Sequence, residues 1–147
     1  MTLFEDMVIL IVEDNDDRFE LIRKNLLITH VDSDVIQLKN GQDVLDFLFK
    51  TNVEACFEDM KRYILLLDIS APQMNGTEVL GKIKQDTKMK KIPVIILTET
   101  DDPHIVEECY NLGCSIYIVK PKEHQGLEET VQKVGSFLSV VATSLIQ

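Results

Sequence analysis

The sequence predicts an α/β domain in which helices cover both faces of a parallel β-sheet. The first observation is a set of short aliphatic runs without polar alternation, which is typical of strands buried on both faces. These runs are "MVILIV" (7–12), "YILLLD" (63–68), "VIILT" (94–98) and "SIYIVK" (115–120), with "DVIQLK" (34–39) a weaker fifth. The second observation is a helical pattern after each run. Five alternations of strand and helix indicate a doubly wound (βα)5 domain with right-handed crossovers.

The helices are predicted from apolar residues three and four positions apart, as on the buried face of a helix. The residues that carry this pattern are Phe19, Ile22 and Leu26; Val44, Leu45 and Leu48; Val79, Leu80 and Ile83; Val106, Cys109 and Tyr110; and Leu127, Val131, Val134, Leu138 and Val141. Gly113 is placed to cap the fourth helix. The stretch 51–62 either extends the second helix or forms a surface loop, and the sequence leaves both open.

Length and composition predict a single domain over 1–147 with no effector domain. The net charge of −10 argues against nucleic-acid binding, which needs a basic surface. The most apolar stretch, 134–146, is shorter than the ~18 residues of a membrane span, and no signal peptide is visible. Three cysteines without a CxxC pair fit a reduced compartment. We therefore expect a cytoplasmic protein that binds neither nucleic acid nor membrane.

Reactive side chains follow four of the predicted strands. Glu13 and Asp14 follow the first, Asp68 ends the third, Thr98 ends the fourth and Lys120 ends the fifth. In doubly wound sheets function gathers at the carboxyl ends of the strands. Carboxylate oxygens suit Mg²⁺, and a hydroxyl with an ammonium suits a phosphoryl group. Asp68, on the central strand, is the candidate nucleophile.

Each feature taken alone also has an ordinary structural explanation. An acidic pair after a strand often marks only a helix N-terminus, where carboxylates interact favourably with the helix dipole. An Asp that closes a strand is commonly a turn residue. The joint occurrence at the same end of consecutive strands favours a functional site.

Four segments, "VILIVEDN", "LLLDISAPQMNG", "VIILTET" and "YIVKP", resemble the signature blocks of the receiver domain of two-component response regulators, the CheY-like family. Asp68 and Thr98 are 30 positions apart, and Thr98 and Lys120 are 22 apart, which fits the family. The resemblance extends over residues 6–142. It implies a flavodoxin-like, CheY-like three-layer sandwich with strand order 2-1-3-4-5.

The resemblance also implies the roles of the acidic residues. Asp68 is the phosphoacceptor, which takes its phosphoryl group from a sensor histidine kinase. Glu13, Asp14 and Asp68 bind Mg²⁺, directly or through water, and the backbone carbonyl of Ser70 completes the protein ligands. The protein is thus not an enzyme with turnover on a separate substrate.

The remaining implied roles concern the phosphoryl group and the switch. Thr98 and Lys120 engage the phosphoryl oxygens, and Tyr117 is the switch aromatic that turns inward when Thr98 moves. Tyr117 also reads simply as a half-buried strand aromatic. The Lys120–Pro121 bond is expected to be cis. Glu99 departs from the family pattern of a small residue, and we expect its charge to affect phosphodonor access or phosphoryl lifetime.

A narrower resemblance is to stand-alone regulators that serve bacterial phytochromes and related sensor kinases. It rests on the 51–62 insertion, on "GKIKQDTKMKKIPVIILTET" and on the long last helix with Phe137 and Leu138. That group tends to pair through the fourth helix, fifth strand and fifth helix. The apolar tail, with Val140, Val141, Leu145 and Ile146, fits a homodimer of this kind.

Three other functions fit the sequence less well. A receiver-like interaction module that works without phosphorylation is the main alternative, although the complete set of site residues argues against it. A haloacid-dehalogenase-type phosphatase needs a second Asp where Ser70 stands. A flavodoxin needs a hydroxyl- and glycine-rich loop where this chain has "EDNDD".

Overall fold

A computed structural model describes residues 7–29, 33–50, 57–58, 61–69, 75–121 and 124–144, with side chains of the last helix described over 126–138. The strands of this part of the chain are β1 (Met7–Val12), β2 (Asp34–Leu38), β3 (Arg62–Leu67), β4 (Val94–Thr98) and β5 (Ile116–Val119). The helices are α1 (Asp16–Ile28), α2 (Gly41–Phe49), α3 (Gly76–Gln85), α4 (Pro103–Leu112) and α5 (His124–Ser144). A short 3₁₀ turn, Met89–Lys91, precedes β4.

The five strands form one parallel sheet in the order β2-β1-β3-β4-β5. This confirms the predicted fold class and strand order. β1 and β3 lie at the centre, where Ile9 pairs with Val35 on one side and with Ile64 on the other. The strand ends differ from the predicted ones by at most one residue.

Side chains of each strand alternate between two apolar cores because successive residues point to opposite faces of a sheet. One core packs α1 and α5 against the sheet; its β1 and β3 members are Met7, Ile9, Ile11, Ile64 and Leu66. The other packs α2, α3 and α4; its β1 and β3 members are Val8, Leu10, Val12, Tyr63, Leu65 and Leu67. The unbroken aliphatic runs of β1, β3 and β4 therefore follow from burial on both faces, as predicted. The run of β5, at the edge of the sheet, is only partly buried, and its Val119 is exposed.

The structure confirms the predicted end of α4 but not all of its predicted buried face. Gly113 ends α4 with φ of 110°, a left-handed conformation that favours glycine, so the predicted cap is confirmed. Tyr110, however, was predicted on the buried face of α4 and is 47% exposed. Ile105 and Leu112 pack against the core from this helix, together with the predicted Cys109.

The 51–62 stretch lies mostly outside the described residues, and so does the side chain of Val141. Within the described part, the Phe57 ring lies 4.9 Å from the Tyr63 ring, between centroids. The Phe57 N–H donates to the Phe47 carbonyl, which ties this stretch to the end of α2. None of the described helices combines the length and apolar composition that crossing a bilayer requires.

Candidate functional site

The side chains singled out at the strand ends meet at one edge of the sheet. β1 is followed by Glu13, β3 by Asp68 and β5 by Lys120, and β4 ends with Thr98. Because the strands are parallel, all four positions lie at the carboxyl edge. Glu13, Asp68 and Lys120 also line one small cavity, whose other walls are aliphatic: Ile11, Val12, Ile22, Leu66, Leu67 and Leu97. The predicted convergence of these side chains is therefore present.

Lys120 is the buried cation of the site, with 7% of its surface exposed. Its Nζ lies 2.7 Å from Oδ2 of Asp68 and 4.0 Å from Oε1 of Glu13. The backbone holds the side chain in register, since the Lys120 N–H donates to the carbonyl of Thr98 on β4. A buried ammonium between two carboxylates supplies the point charge that an added phosphoryl group would need.

Glu13 is the most deeply buried acid of the site, at 3% exposed. Burial raises the pKa of its carboxyl above the usual range. A hydrogen bond from the Asn15 N–H to Oε2, at 3.1 Å, opposes that rise in pKa. The nearby positive charges of Arg18 and Lys120 oppose it further. Because the pKa stays raised, these interactions do not fully compensate the negative charge of Glu13. An added cation would therefore stabilise that charge.

Asp14 lies on the solvent side of Glu13, and its side chain is 42% exposed. The helix that follows is capped by Asn15, whose Oδ1 accepts from the Arg18 N–H at 2.9 Å. The cap is therefore Asn15, and the first turn already holds two acids, Asp16 and Asp17. The acids that mark the N-terminus of this helix are therefore Asp16 and Asp17, and not the pair Glu13 and Asp14.

Sequence reasoning missed Arg18. Its Nη2 lies 3.3 Å from Oε2 of Glu13 and 3.7 Å from Oδ1 of Asp14. The available signal was its position four residues after Asp14, in the first turn of the helix, from which an arginine can reach back to the acids that precede the helix. Arg18 thus places a second cation on the acidic pair, from the solvent side.

The donor chemistry of the site fits Mg²⁺, since Glu13, Asp14 and Asp68 supply the hard oxygen ligands that this ion prefers. Within the described residues, however, no three such groups surround a single point closely enough to hold an ion. The contacts explain why: Asp68 faces Lys120, whereas Glu13 and Asp14 face Arg18. Ser70, whose carbonyl was predicted to be a further ligand, lies outside the described residues.

Thr98 is fully buried at the end of β4, and Glu99, which follows it, is exposed. Their positions agree with the predicted phosphoryl-binding and modulating roles, which remain predictions. The predicted cis bond is wrong for this structure. Among the described peptide bonds none is cis, so Lys120–Pro121 is trans. The trans form is favoured by about 0.5–1 kcal/mol before proline, and Lys120 reaches Asp68 without the cis form.

Tyr117 is half-buried on β5 and packs against the core. Its hydroxyl donates to the carbonyl of Thr100 at 2.6 Å, and burial raises the pKa of the phenol to about 12. Its N–H, on the sheet edge, donates to the hydroxyl of Tyr110 at 3.1 Å. The half-buried position of Tyr117 agrees with an ordinary aromatic residue on a strand as well as with the predicted switch. Its hydrogen bond to Thr100 connects Tyr117 to the loop after β4.

Comparisons with known proteins agree with this geometry. The family described as the response regulator receiver domain matches residues 9–132. Response regulator Rcp1 of Synechocystis sp. is 33% identical over 131 residues, which cover 88% of this chain and 87% of that protein. The crystal structure of the Mn(2+)-bound form of response regulator Rcp1 superimposes with a TM-score of 0.78 at 32% identity, covering 89% of this chain and 93% of that one.

Two further solved structures are similar. A response regulator receiver domain from Rhodospirillum rubrum superimposes with a TM-score of 0.82 at 31% identity, covering 90% of this chain and 94% of that one. The phosphorylated cyanobacterial phytochrome response regulator RcpA superimposes with a TM-score of 0.78 at 28% identity, covering 90% and 93%. Sequence and fold thus point to the same group of proteins.

Proposed function

Because the chain belongs to the response regulator receiver domain family, we propose that Asp68 accepts a phosphoryl group from a sensor histidine kinase and thereby switches protein–protein interactions. The observation that carries this proposal is the 2.7 Å contact between Lys120 Nζ and Asp68 Oδ2 at the carboxyl edge of the sheet. It puts a carboxylate nucleophile and a counterion for the transferred group at the same point. Receiver domains are signalling proteins rather than enzymes that turn over a separate substrate.

In the proposed reaction, a carboxylate oxygen of Asp68 bonds to phosphorus. The bond between phosphorus and the kinase histidine nitrogen breaks, and its electron pair stays on that nitrogen, which takes up a proton. The Lys120 ammonium then moves from the carboxylate to a phosphoryl oxygen. This movement is small, because its Nζ already lies 2.7 Å from Asp68 Oδ2. The Thr98 hydroxyl is the proposed second donor to the phosphoryl group.

Mg²⁺ would be held by Glu13, Asp14 and Asp68, with the Ser70 carbonyl as a further ligand. When bound, it would neutralise charge on the transferring phosphoryl group. The Mn(2+)-bound Rcp1 structure supports the same kind of ion for this chain by similarity. Glu13 and Asp14 have the residue type and the position for this role, since both precede α1 at the carboxyl edge.

The proposed switch runs from Asp68 to the loop after β4. A phosphoryl group that draws Thr98 toward it would move the segment that ends at Thr100, whose carbonyl accepts the Tyr117 hydroxyl. The phosphorylated protein would therefore favour a different arrangement of Tyr117 and of the neighbouring α4 surface. The readout is the face formed by α4, β5 and α5.

This face also supports the proposed homodimer. Val119 on β5 is 47% exposed and Phe137 on α5 is 48% exposed. Between β5 and α5 lies an apolar groove, lined by Ile95, Ile116, Ile118, Thr130, Lys133, Val134 and Phe137. Light scattering across a concentration series tests the pairing. Phe137→Glu should weaken it, whereas Ile28→Glu, on an exposed α1 position outside this face, should not.

The kinase is proposed to be of the phytochrome type, on the similarity to Rcp1 and to the phytochrome response regulator RcpA. Phosphotransfer from a panel of purified histidine kinases, phytochromes included, tests both the reaction and the partner. Wild type should be labelled and Asp68→Asn should not. Asp101→Asn, an exposed aspartate at the same edge of the sheet, is the matched control and should be labelled like wild type.

The alternative, a module that acts without phosphorylation, makes the opposite prediction. In that case a kinase would not phosphorylate the protein, and beryllofluoride with Mg²⁺ would not change its conformation. Labelling that persists in Asp68→Asn would likewise contradict the proposed acceptor. NMR spectra recorded with and without beryllofluoride distinguish the two functions without a cognate kinase.

A further inference from the structure

The acidic pair that precedes α1 already faces a cation of this chain. Arg18 Nη2 lies 3.3 Å from Glu13 Oε2 and 3.7 Å from Asp14 Oδ1, so one guanidinium nitrogen bridges the two proposed metal ligands. The hydrogen bond from the Arg18 N–H to the Asn15 side chain, at 2.9 Å, fixes the start of the side chain. The cation is therefore tethered beside the pair at a high effective concentration.

The two cations of the site are differently placed. Lys120 approaches from the interior, with its side chain 6% exposed, and contacts Asp68 most closely. Arg18 approaches from solvent, with its side chain 45% exposed. A partly exposed arginine leaves an ion pair at small cost, because water replaces its partners. A buried lysine does not have this freedom.

The charges make Arg18 and a divalent ion competitors. Three carboxylates with two side-chain cations carry one excess negative charge, and a divalent ion would reverse it. Without Arg18 the same ion would neutralise the site. A guanidinium within 4 Å of both carboxylates also occupies space and lone pairs that the ion needs.

We propose that Arg18 is a built-in competitor for the metal: it holds Glu13 and Asp14 when no ion is bound and must swing toward solvent before a divalent ion binds. This inference rests on the proposed metal-dependent function of the same site. Arg18 thereby sets the ion concentration at which the domain becomes able to accept phosphate. It is a positioning residue, since it acts through Glu13 and Asp14 and not on the phosphoryl group.

Isothermal titration with Mg²⁺, and with Mn²⁺ as a second probe, tests this on the full chain. Arg18→Met keeps much of the side-chain length and removes the charge. We expect its Kd for the ion to fall roughly threefold to fivefold, because the ion no longer has to displace a partly exposed ion pair. Arg23→Met is the matched control: it removes the same charge from the same helix, where Arg23 pairs with Glu20 at 2.8 Å. Its Kd should stay within about twofold of wild type.

Equal affinities in Arg18→Met and Arg23→Met, or weaker binding in Arg18→Met, would overturn the inference while leaving the proposed metal site intact. Absence of ion binding in every variant would overturn the metal site itself, and the inference with it. Arg18→Lys supplies a second test that keeps the charge. It should bind the ion with intermediate affinity, because lysine keeps the positive charge but its shorter side chain brings that charge less close to the two carboxylates.

Thermal unfolding gives a readout that does not depend on titration heats. The Tm of Arg18→Met should rise more on addition of saturating Mg²⁺ than the Tm of wild type, because its acidic pair has no internal cation in EDTA. Equal shifts in wild type and Arg18→Met would contradict the competition.

Discussion

The ammonium of Lys120 lies 2.7 Å from the carboxylate of Asp68 and is almost completely removed from water. Asp68 and Glu13 are themselves largely buried, at 13% and 4% side-chain exposure. The folded state needs the Lys120 ammonium here, because buried negative charges without a counterion would lower its stability. The contact between Lys120 and Asp68 therefore stabilises the folded protein, whatever its proposed role in phosphoryl transfer.

We predict that Lys120→Met lowers the free energy of unfolding by about 2–4 kcal/mol in the absence of divalent ions, since it removes the ammonium that contacts the buried Asp68 carboxylate, while Glu13 keeps its contact with Arg18. Urea unfolding in EDTA measures this. Lys39→Met is the control: Lys39 pairs with Asp16 at 3.1 Å on the surface, and its loss should cost less than about 1 kcal/mol. Equal losses in the two variants would contradict a stabilising role for the buried pair.

Glu99 is exposed directly after Thr98, where an anionic phosphodonor would approach the site. We predict that Glu99→Ala raises the rate of labelling by acetyl phosphate roughly twofold to tenfold, because a like charge no longer repels the donor. The rate is measured in excess Mg²⁺, together with the decay of the phosphorylated protein. Glu107→Ala, on the exposed side of α4, makes the same change in net charge and should not alter either rate. Unchanged labelling and decay in Glu99→Ala would refute the prediction.

The hydrogen bond from the Tyr117 hydroxyl to the Thr100 carbonyl gives a third prediction. Tyr117→Phe should lower the free energy of unfolding by about 0.5–1.5 kcal/mol at neutral pH, because a half-buried carbonyl loses its donor. Burial raises the phenol pKa from 10.0 to about 12, so the folded state holds this proton more tightly than the unfolded state. The stabilisation is therefore complete below pH 10 and declines as the pH rises from 10 to about 12.

Absorbance at alkaline pH checks whether the Tyr117 hydroxyl is buried. The difference titration between wild type and Tyr117→Phe should show one phenol that ionises near pH 12. Tyr110→Phe is the comparison, since it removes only the acceptor of the Tyr117 N–H and leaves the phenol of Tyr117 in place. A Tyr117 phenol that ionises near pH 10 in the folded protein would show that its hydroxyl is not buried in solution.

The parts that sequence predicted are those that depend on backbone topology. Continuous aliphatic runs required strands buried on both faces, and parallel strands bring Glu13, Asp68 and Lys120 to one edge whatever their rotamers. The parts that it missed depend on side-chain direction. Neither Arg18 bridging the acidic pair nor Tyr110 reaching the edge of β5 follows from a periodic pattern, because each long side chain has several allowed directions.

Gly76 begins α3 and lies against Ile69, the residue after Asp68. A Cβ added to Gly76 would lie 2.4 Å from Ile69 Cγ2 and 2.7 Å from Ile69 Cα. The side chain alone cannot relieve this overlap, because the second atom belongs to the backbone. Any residue larger than glycine must therefore displace the segment that carries Asp68, the proposed phosphoacceptor.

We predict that Gly76→Ala lowers the free energy of unfolding by about 1–3 kcal/mol, as overpacking does, and slows phosphoryl transfer to Asp68 because that segment shifts. Gly81→Ala, in the same helix, is the matched control. Its added Cβ would meet only Leu112 Cδ2 at 3.8 Å, which is ordinary contact, and alanine is about 0.5–1 kcal/mol better than glycine within a helix. Urea unfolding and labelling rates of both variants test this, and a Gly76→Ala protein as stable and as quickly labelled as Gly81→Ala would show that the α3 start does not hold the Asp68 segment.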